Sequence, residues 1–199
     1  ADRDLPAAEK QGLMAAYGRF VQRHLYFHGE HRTFLSKNPS FTPFMATLAD
    51  AFPDARFIGC LRNPTAAVPS QINSIVIGGK LFDGRDTADY WREGFLAMLD
   101  YYYRHLLEQL DGLPEGRGAL SVMETLAAAP GESVSGFYRT FGWTPSPAYR
   151  AFLDGEDRRA AAYRSGHRYS LENLGVDPGR LAATFGWVYD RFGYPRPGD

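Results

Sequence analysis

Phe52-Pro-Asp-Ala-Arg-Phe-Ile-Gly-Cys-Leu-Arg-Asn-Pro64 decides the fold. Arg56–Leu61 is nearly apolar and lies between turn formers, the pattern of a strand covered on both faces. The run ends on a cation, Arg62. Pro64 then opens a helix that the apolar spacing carries to about Ile75, because proline lacks a backbone donor and its fixed φ suits the first helical position. Pro69 falls inside that helix and is a point where it is expected to kink. Ser70 follows Arg62 by eight residues and lies about two turns into the helix. A guanidinium at a strand end, a helix start and a hydroxyl together form a means of holding phosphate at the carboxyl edge of a parallel sheet. That arrangement points to nucleotide chemistry.

Working outward, Thr33–Ser36 reads as a short strand and Thr42–Ala51 as a helix with Pro43 in its first turn. Upstream, Leu13, Ala16, Tyr17, Phe20, Val21 and His24 recur at helical spacing and predict a helix over Leu13–Tyr26. Downstream, Gly78, Gly79 and 83–86 read as a loop. A long helix over 87–110 should carry Trp91, Phe95, Leu99, Tyr102, Leu106 and Leu110 on its inner stripe. Leu120–Met123 is a further short strand. Ser133–Phe141, Ala148–Leu153 and Leu181–Phe192 read as helices. Short apolar strands alternating with helices predict a three-layer α/β domain, a parallel sheet with flanking helices. Three strands are few for such a sheet, so at least one more is expected from an earlier segment.

Composition narrows the function. A chain of 199 residues that is 44% hydrophobic and 15% aromatic supports one domain, 1–199, with its own core. A formal charge of -1 excludes a general nucleic-acid surface. The single cysteine, Cys60, excludes an intrachain disulfide and a Cys-rich metal site, reads as a small buried hydrophobe, and permits a reducing, cytoplasmic setting. No signal peptide and no run of 18 apolar residues is present. A Gly-rich Lys-Ser/Thr loop and an evident set of magnesium carboxylates are both missing, which disfavours a kinase-like phosphoryl transferase. His28 and His31 flank Gly29-Glu30; their spacing suits a metal pair, but no second ligand cluster supports one. The Tyr101-Tyr-Tyr103 run is read chiefly as core.

Lys37-Asn38-Pro39, then Phe52-Pro-Asp-Ala-Arg-Phe-Ile58, then Arg62-Asn-Pro64 with Ser70, resembles the bacterial-type sulfotransferases that use 3'-phosphoadenosine 5'-phosphosulfate (PAPS). Met123-Glu-Thr-Leu126 resembles that family's later strand end, usually Tyr-Glu-Asp-Leu. Tyr163-Arg-Ser-Gly-His-Arg-Tyr-Ser-Leu-Glu172, followed by Gly175, Val176 and Asp177, resembles its C-terminal element. The likeness runs from about residue 32 to 194.

The resemblance implies that the three-layer parallel sheet is P-loop-NTPase-like, and it implies roles. Arg62 and Ser70 correspond to residues that hold the 3'-phosphate. Lys37 corresponds to a lysine near the transferred sulfuryl group, where it would stabilise charge on the departing phosphate. Arg164, Ser165, His167 and Arg168 correspond to a loop closing over the adenosine end. An acceptor hydroxyl must lose its proton during transfer; no histidine closely follows Lys37, where the family places one, so the base is left to His28 or His31 just upstream, or equally to a further segment. The family's phosphate-binding loop, Pro-[Arg/Lys]-Ser-Gly-Thr-Thr, has no counterpart here. The expectation is therefore the C-terminal majority of a domain, with the loop and first strand on an upstream segment or a companion chain. Two readings stand: a sulfotransferase moving a sulfuryl group from PAPS to an acceptor hydroxyl, or a catalytically incomplete nucleotide-binding or structural protein.

Overall fold

A computed structural model describes residues 1–84, 88–162, 171 and 174–198. In chain order the elements are α1 (Ala7–His28), a 3-10 turn (Pro39–Phe44), α2 (Met45–Ala51), β1 (Phe57–Leu61), α3 (Pro64–Asp83) and α4 (Ala88–Asp111). They continue with β2 (Gly118–Val122), α5 (Met123–Ala128), α6 (Pro130–Thr140), α7 (Pro147–Ala162) and α8 (Pro178–Phe192).

The expected three-layer, P-loop-NTPase-like sheet is not what forms. Among the described residues the sheet is β1 and β2 alone, paired in parallel, in a molecule that is otherwise mainly helical. Two features account for the difference. Thr33–Ser36, read as a strand, stays outside regular structure; β-branched and aromatic residues favour a strand only where a neighbouring ladder receives them. The apolar run of β1 is also covered on one face rather than two. Gly59 and Leu61 are buried, whereas Ile58 and Cys60 are exposed. Cys60 is therefore no core hydrophobe.

The buried face of β1 is shut by α4. A Cβ on Gly59 would stand 2.6 Å from Leu110 Cδ1 and 3.0 Å from Leu106 Cδ1, so glycine leaves room for these two leucine tips against the strand. The core is centred on α3 (Val68, Ile72, Val76), α4 (Phe95, Leu96, Leu99, Tyr103, Leu106, Leu107) and α8 (Leu181, Phe185, Val188, Tyr189). The α4 stripe is rotated from the expected one: Trp91 is exposed and Tyr102 half-buried, while Leu96, Tyr103 and Leu107 go inside.

Several boundaries move for physical reasons. Helix α3 passes through Gly78-Gly79 to Asp83, because Ile72 and Val76 pack inward and α3 lies along α4; that burial outweighs glycine's cost of about 1 kcal/mol per residue. Gly84, at φ +67°, ends it. Residues 85–87 of the expected loop lie outside the described residues. Helix α7 runs on to Ala162, past the expected stop at Leu153.

Two polar anchors brace the region before β1. The Asp2 carboxylate accepts from the Ala46 and Thr47 amides (2.9 and 3.0 Å), from Thr47 Oγ1 (2.6 Å) and from His105 Nε2 (2.8 Å). It thereby caps the start of α2 from a remote part of the chain. At the other end of α2, the Arg117 guanidinium donates to the carbonyls of Ala49, Phe52 and Ala55 at 3.1–3.2 Å. Helix α1, by contrast, buries no residue. It rests on this region through Tyr17, whose ring meets Phe41 and Phe52 edge-on at 5.0 and 5.8 Å. Among the described residues no helix is long and apolar enough to cross a membrane.

Candidate functional site

Parallel pairing aligns Leu61 with Val122, so both strands deliver their next residues to the same rim. From β1 come Arg62 and Asn63; from β2 comes the first turn of α5, with Glu124. Asn63 then caps α3, its Oδ1 accepting from the Thr65 amide at 2.9 Å.

Side chains from three other elements grip this turn. Tyr103 of α4 donates its hydroxyl to the Arg62 carbonyl at 2.6 Å. Glu124 Oε1 accepts from the Asn63 amide at 3.0 Å, and its Oε2 accepts from the Tyr194 hydroxyl, also at 3.0 Å. Tyr189 of α8 shares a 3.0 Å hydrogen bond with Thr65 Oγ1. Burial pushes the Tyr103 phenol far above its usual range. Burial does the same for Tyr194, and the Glu124 carboxylate adds to the shift. Both phenols therefore keep the protons they donate.

Arg62 and Ser70 are each half-buried. Among the described residues, neither the Arg62 guanidinium nor the Ser70 hydroxyl has a hydrogen-bond or ion-pair partner; at Ser70 the carbonyl accepts from Ser74 Oγ at 2.9 Å. The guanidinium, at the rim where α3 begins, is suited to an anion; the Ser70 hydroxyl lies about two turns along that helix. The α3 amides themselves are not free for it. Thr65 N–H goes to Asn63 Oδ1, and the Ala66 and Ala67 N–H groups go to the Asn63 carbonyl at 2.9 Å. Helix α3 thus offers a phosphate its dipole and not its donors.

The other site candidates among the described residues are not bonded to this turn. Lys37 is exposed in the irregular stretch before the 3-10 turn, and Asn38 beside it caps that turn by accepting from the Ser40 amide at 3.0 Å. His28 closes α1 and His31 follows it, both exposed. The His24 and His28 rings lie 4.4 Å apart, and His24 meets Phe34 edge-on at 5.0 Å. Among the described residues, no hydrogen bond or ion pair links Lys37, His28 or His31 to the Arg62 turn, and no three His, Cys, Asp or Glu side chains converge as a metal site would require. Arg164, Ser165, His167 and Arg168 lie outside the described residues.

Tyr103, Tyr189 and Tyr194 were not singled out as site residues from sequence. The one cue was Gly193 directly before Tyr194. It ends α8 in the left-handed conformation, and the Tyr194 amide bonds back to the Tyr189 carbonyl at 3.1 Å.

Comparison with known proteins identifies the family. The profile of the Sulfotransferase family matches residues 3–144, and the chain belongs to that family. The match takes in α1, which the motif likeness had left out, and stops before the 163–177 element. Among solved structures, sulfotransferase STF9 from Mycobacterium avium matches with a TM-score of 0.66 at 19% identity, over 82% of this chain and 42% of that one. The chain thus spans less than half the length of that relative. No curated protein matches it.

Proposed function

We propose that these 199 residues form the part of a sulfotransferase fold that anchors the 3'-phosphate of its nucleotide, and that they do not complete a catalytic centre by themselves. The observation carrying this is the held turn at the end of β1, which leaves the Arg62 guanidinium open at the start of α3, with the Ser70 hydroxyl about two turns further along that helix. Incompleteness is supported, among the described residues, by the two-stranded sheet and by the lack of any hydrogen bond or ion pair from Lys37, His28 or His31 to that turn.

The ligand that fits is PAPS or its product 3',5'-ADP. When bound, PAPS supplies the sulfuryl group that an acceptor hydroxyl takes. Arg62 grips the 3'-phosphate through paired N–H donors and Ser70 adds a hydroxyl. Arg164, Ser165, His167 and Arg168 cover the adenosine end. Lys37 serves the sulfuryl end, and His28 or His31 takes the acceptor's proton, once a further segment brings that end into place. That segment, upstream or on a companion chain, supplies the phosphate loop. The whole is a bacterial-type, cytoplasmic enzyme built on a single domain and acting on a small hydroxyl acceptor.

Titration calorimetry of this protein with 3',5'-ADP and with 5'-AMP tests the reading, alongside an assay for sulfuryl transfer from labelled PAPS to a panel of hydroxyl acceptors. Preference for 3',5'-ADP, abolished in Arg62→Ala, with no turnover, is expected. Equal affinity for the two nucleotides removes the 3'-phosphate role. Turnover by this chain alone removes the incompleteness.

A further inference from the structure

We infer that Tyr103 and Glu124, the latter steered by Tyr194, are positioning residues that clamp the peptide group after Arg62 and so aim its guanidinium at a ligand phosphate. The inference rests on the 3'-phosphate reading above and adds the residues that make Arg62 selective.

The argument begins with the peptide unit. The Arg62 carbonyl and the Asn63 N–H belong to one planar group, and in the trans form they point in opposite directions. Tyr103 holds the carbonyl end at 2.6 Å and Glu124 holds the N–H end at 3.0 Å. A plane fixed at both ends fixes ψ of Arg62 and φ of Asn63, and with them the direction in which the Arg62 side chain leaves the backbone.

Each clamp has its own support. Tyr103 is 6% exposed, and its ring packs against Phe185 at 5.7 Å, which leaves its hydroxyl little freedom. Glu124 is exposed, and an exposed carboxylate has many rotamers. Tyr194 removes that freedom by donating to the second oxygen. The carboxylate is thus strung between a backbone amide at the turn and a phenol on the segment after α8. The same carboxylate stays clear of the guanidinium: no ion pair joins Glu124 and Arg62 among the described residues. The arrangement fixes the arginine's backbone without occupying its head.

The test measures binding of 3',5'-ADP and 5'-AMP to the full chain by calorimetry, amide exchange at Asn63, and the thermal midpoint. The variants are Tyr103→Phe, Glu124→Ala, Glu124→Gln, Tyr194→Phe and Arg62→Ala. In Glu124→Ala the Asn63 amide should exchange faster, and the preference for 3',5'-ADP should fall about five- to tenfold with the thermal midpoint held. Glu124→Gln keeps an oxygen that accepts from Asn63 and should retain most of the preference. If Tyr103→Phe does not fold, the exposed Glu124 carries the test alone. Faster Asn63 exchange with an unchanged preference overturns the clamp, as does an equal loss for both nucleotides. A preference lost in Arg62→Ala and kept in Glu124→Ala sinks the clamp and leaves the 3'-phosphate reading standing. A preference kept in Arg62→Ala sinks the reading beneath it.

Discussion

The turn after β1 and the stretch that carries Lys37 read alike in sequence: each ends an apolar run on a cation followed by Asn-Pro. Arg62-Asn-Pro64 is held by Tyr103 and Glu124, and Thr65 directly after it by Tyr189, from three separate elements. Among the described residues Lys37-Asn-Pro39 has local hydrogen bonds alone, from the Ser40 and Phe41 amides to Asn38 and from the Thr42 hydroxyl to the Pro39 carbonyl, and it lies in the open beside a helix that buries nothing. A motif fixes which residues meet a ligand only where the fold determines the backbone that carries them. The first cation is pre-organised and the second is not.

The comparison can be broken first at its foundations. Phe185 has no exposure and stands behind Tyr103, so Phe185→Ala should cost about 3–5 kcal/mol in denaturant unfolding. Phe20→Ala, on the 55%-exposed face of α1, should cost about 1 kcal/mol or less. Similar losses would mean that α1 is anchored as firmly as the rim. Next comes ligand binding. Arg62→Ala should weaken 3',5'-ADP by ~2–4 kcal/mol, whereas Lys37→Ala in this chain should change its affinity about twofold or less. Calorimetry showing the reverse order would move the phosphate site to Lys37.

The caps sharpen the contrast at a smaller scale. Asn63→Ala should lower stability by about 1 kcal/mol. Asn38→Ala, on an exposed 3-10 turn, should lower it by roughly 0.3 kcal/mol. Matched midpoints in urea would contradict the difference. The last test concerns pH. Burial raises the Asp2 carboxyl, but hydrogen bonds from the Thr47 hydroxyl, the Ala46 amide, His105 and the Thr47 amide outweigh it and hold the group below its ordinary value of 3.8. A carboxyl depressed in the folded state stabilises fully above that ordinary value and loses the contribution as pH falls below it. The gap in thermal midpoint between the native protein and Asp2→Asn should therefore be full at neutral pH and close on acidification. A gap that widens in acid would reverse the sign.

β1, the start of α3 and the meeting of Arg62 with a helix cap were legible, because apolar runs, Pro64 and Asn63 act locally. The covering of β1 was not: Phe-Ile-Gly-Cys-Leu reads as uniformly apolar, although only Gly59 and Leu61 face α4. Thr33–Ser36 misled because strand propensity does not say whether a partner strand exists. Tyr103 was correctly placed in the core, but its bond to Arg62 depends on the packing of α4 against the sheet. The Glu124–Tyr194 pairing joins residues 70 apart in sequence, and no short-range pattern reports a contact of that range.

Gly59 has a consequence of its own. A methyl added there would meet the tips of Leu106 and Leu110, which must shift to receive it. Leu106 stands less than one turn after Tyr103 on the same helix. The smallest side chain in β1 thus lies beneath the helix whose phenol holds the Arg62 carbonyl, and a change there is passed to that helix through two leucines that do not border the turn.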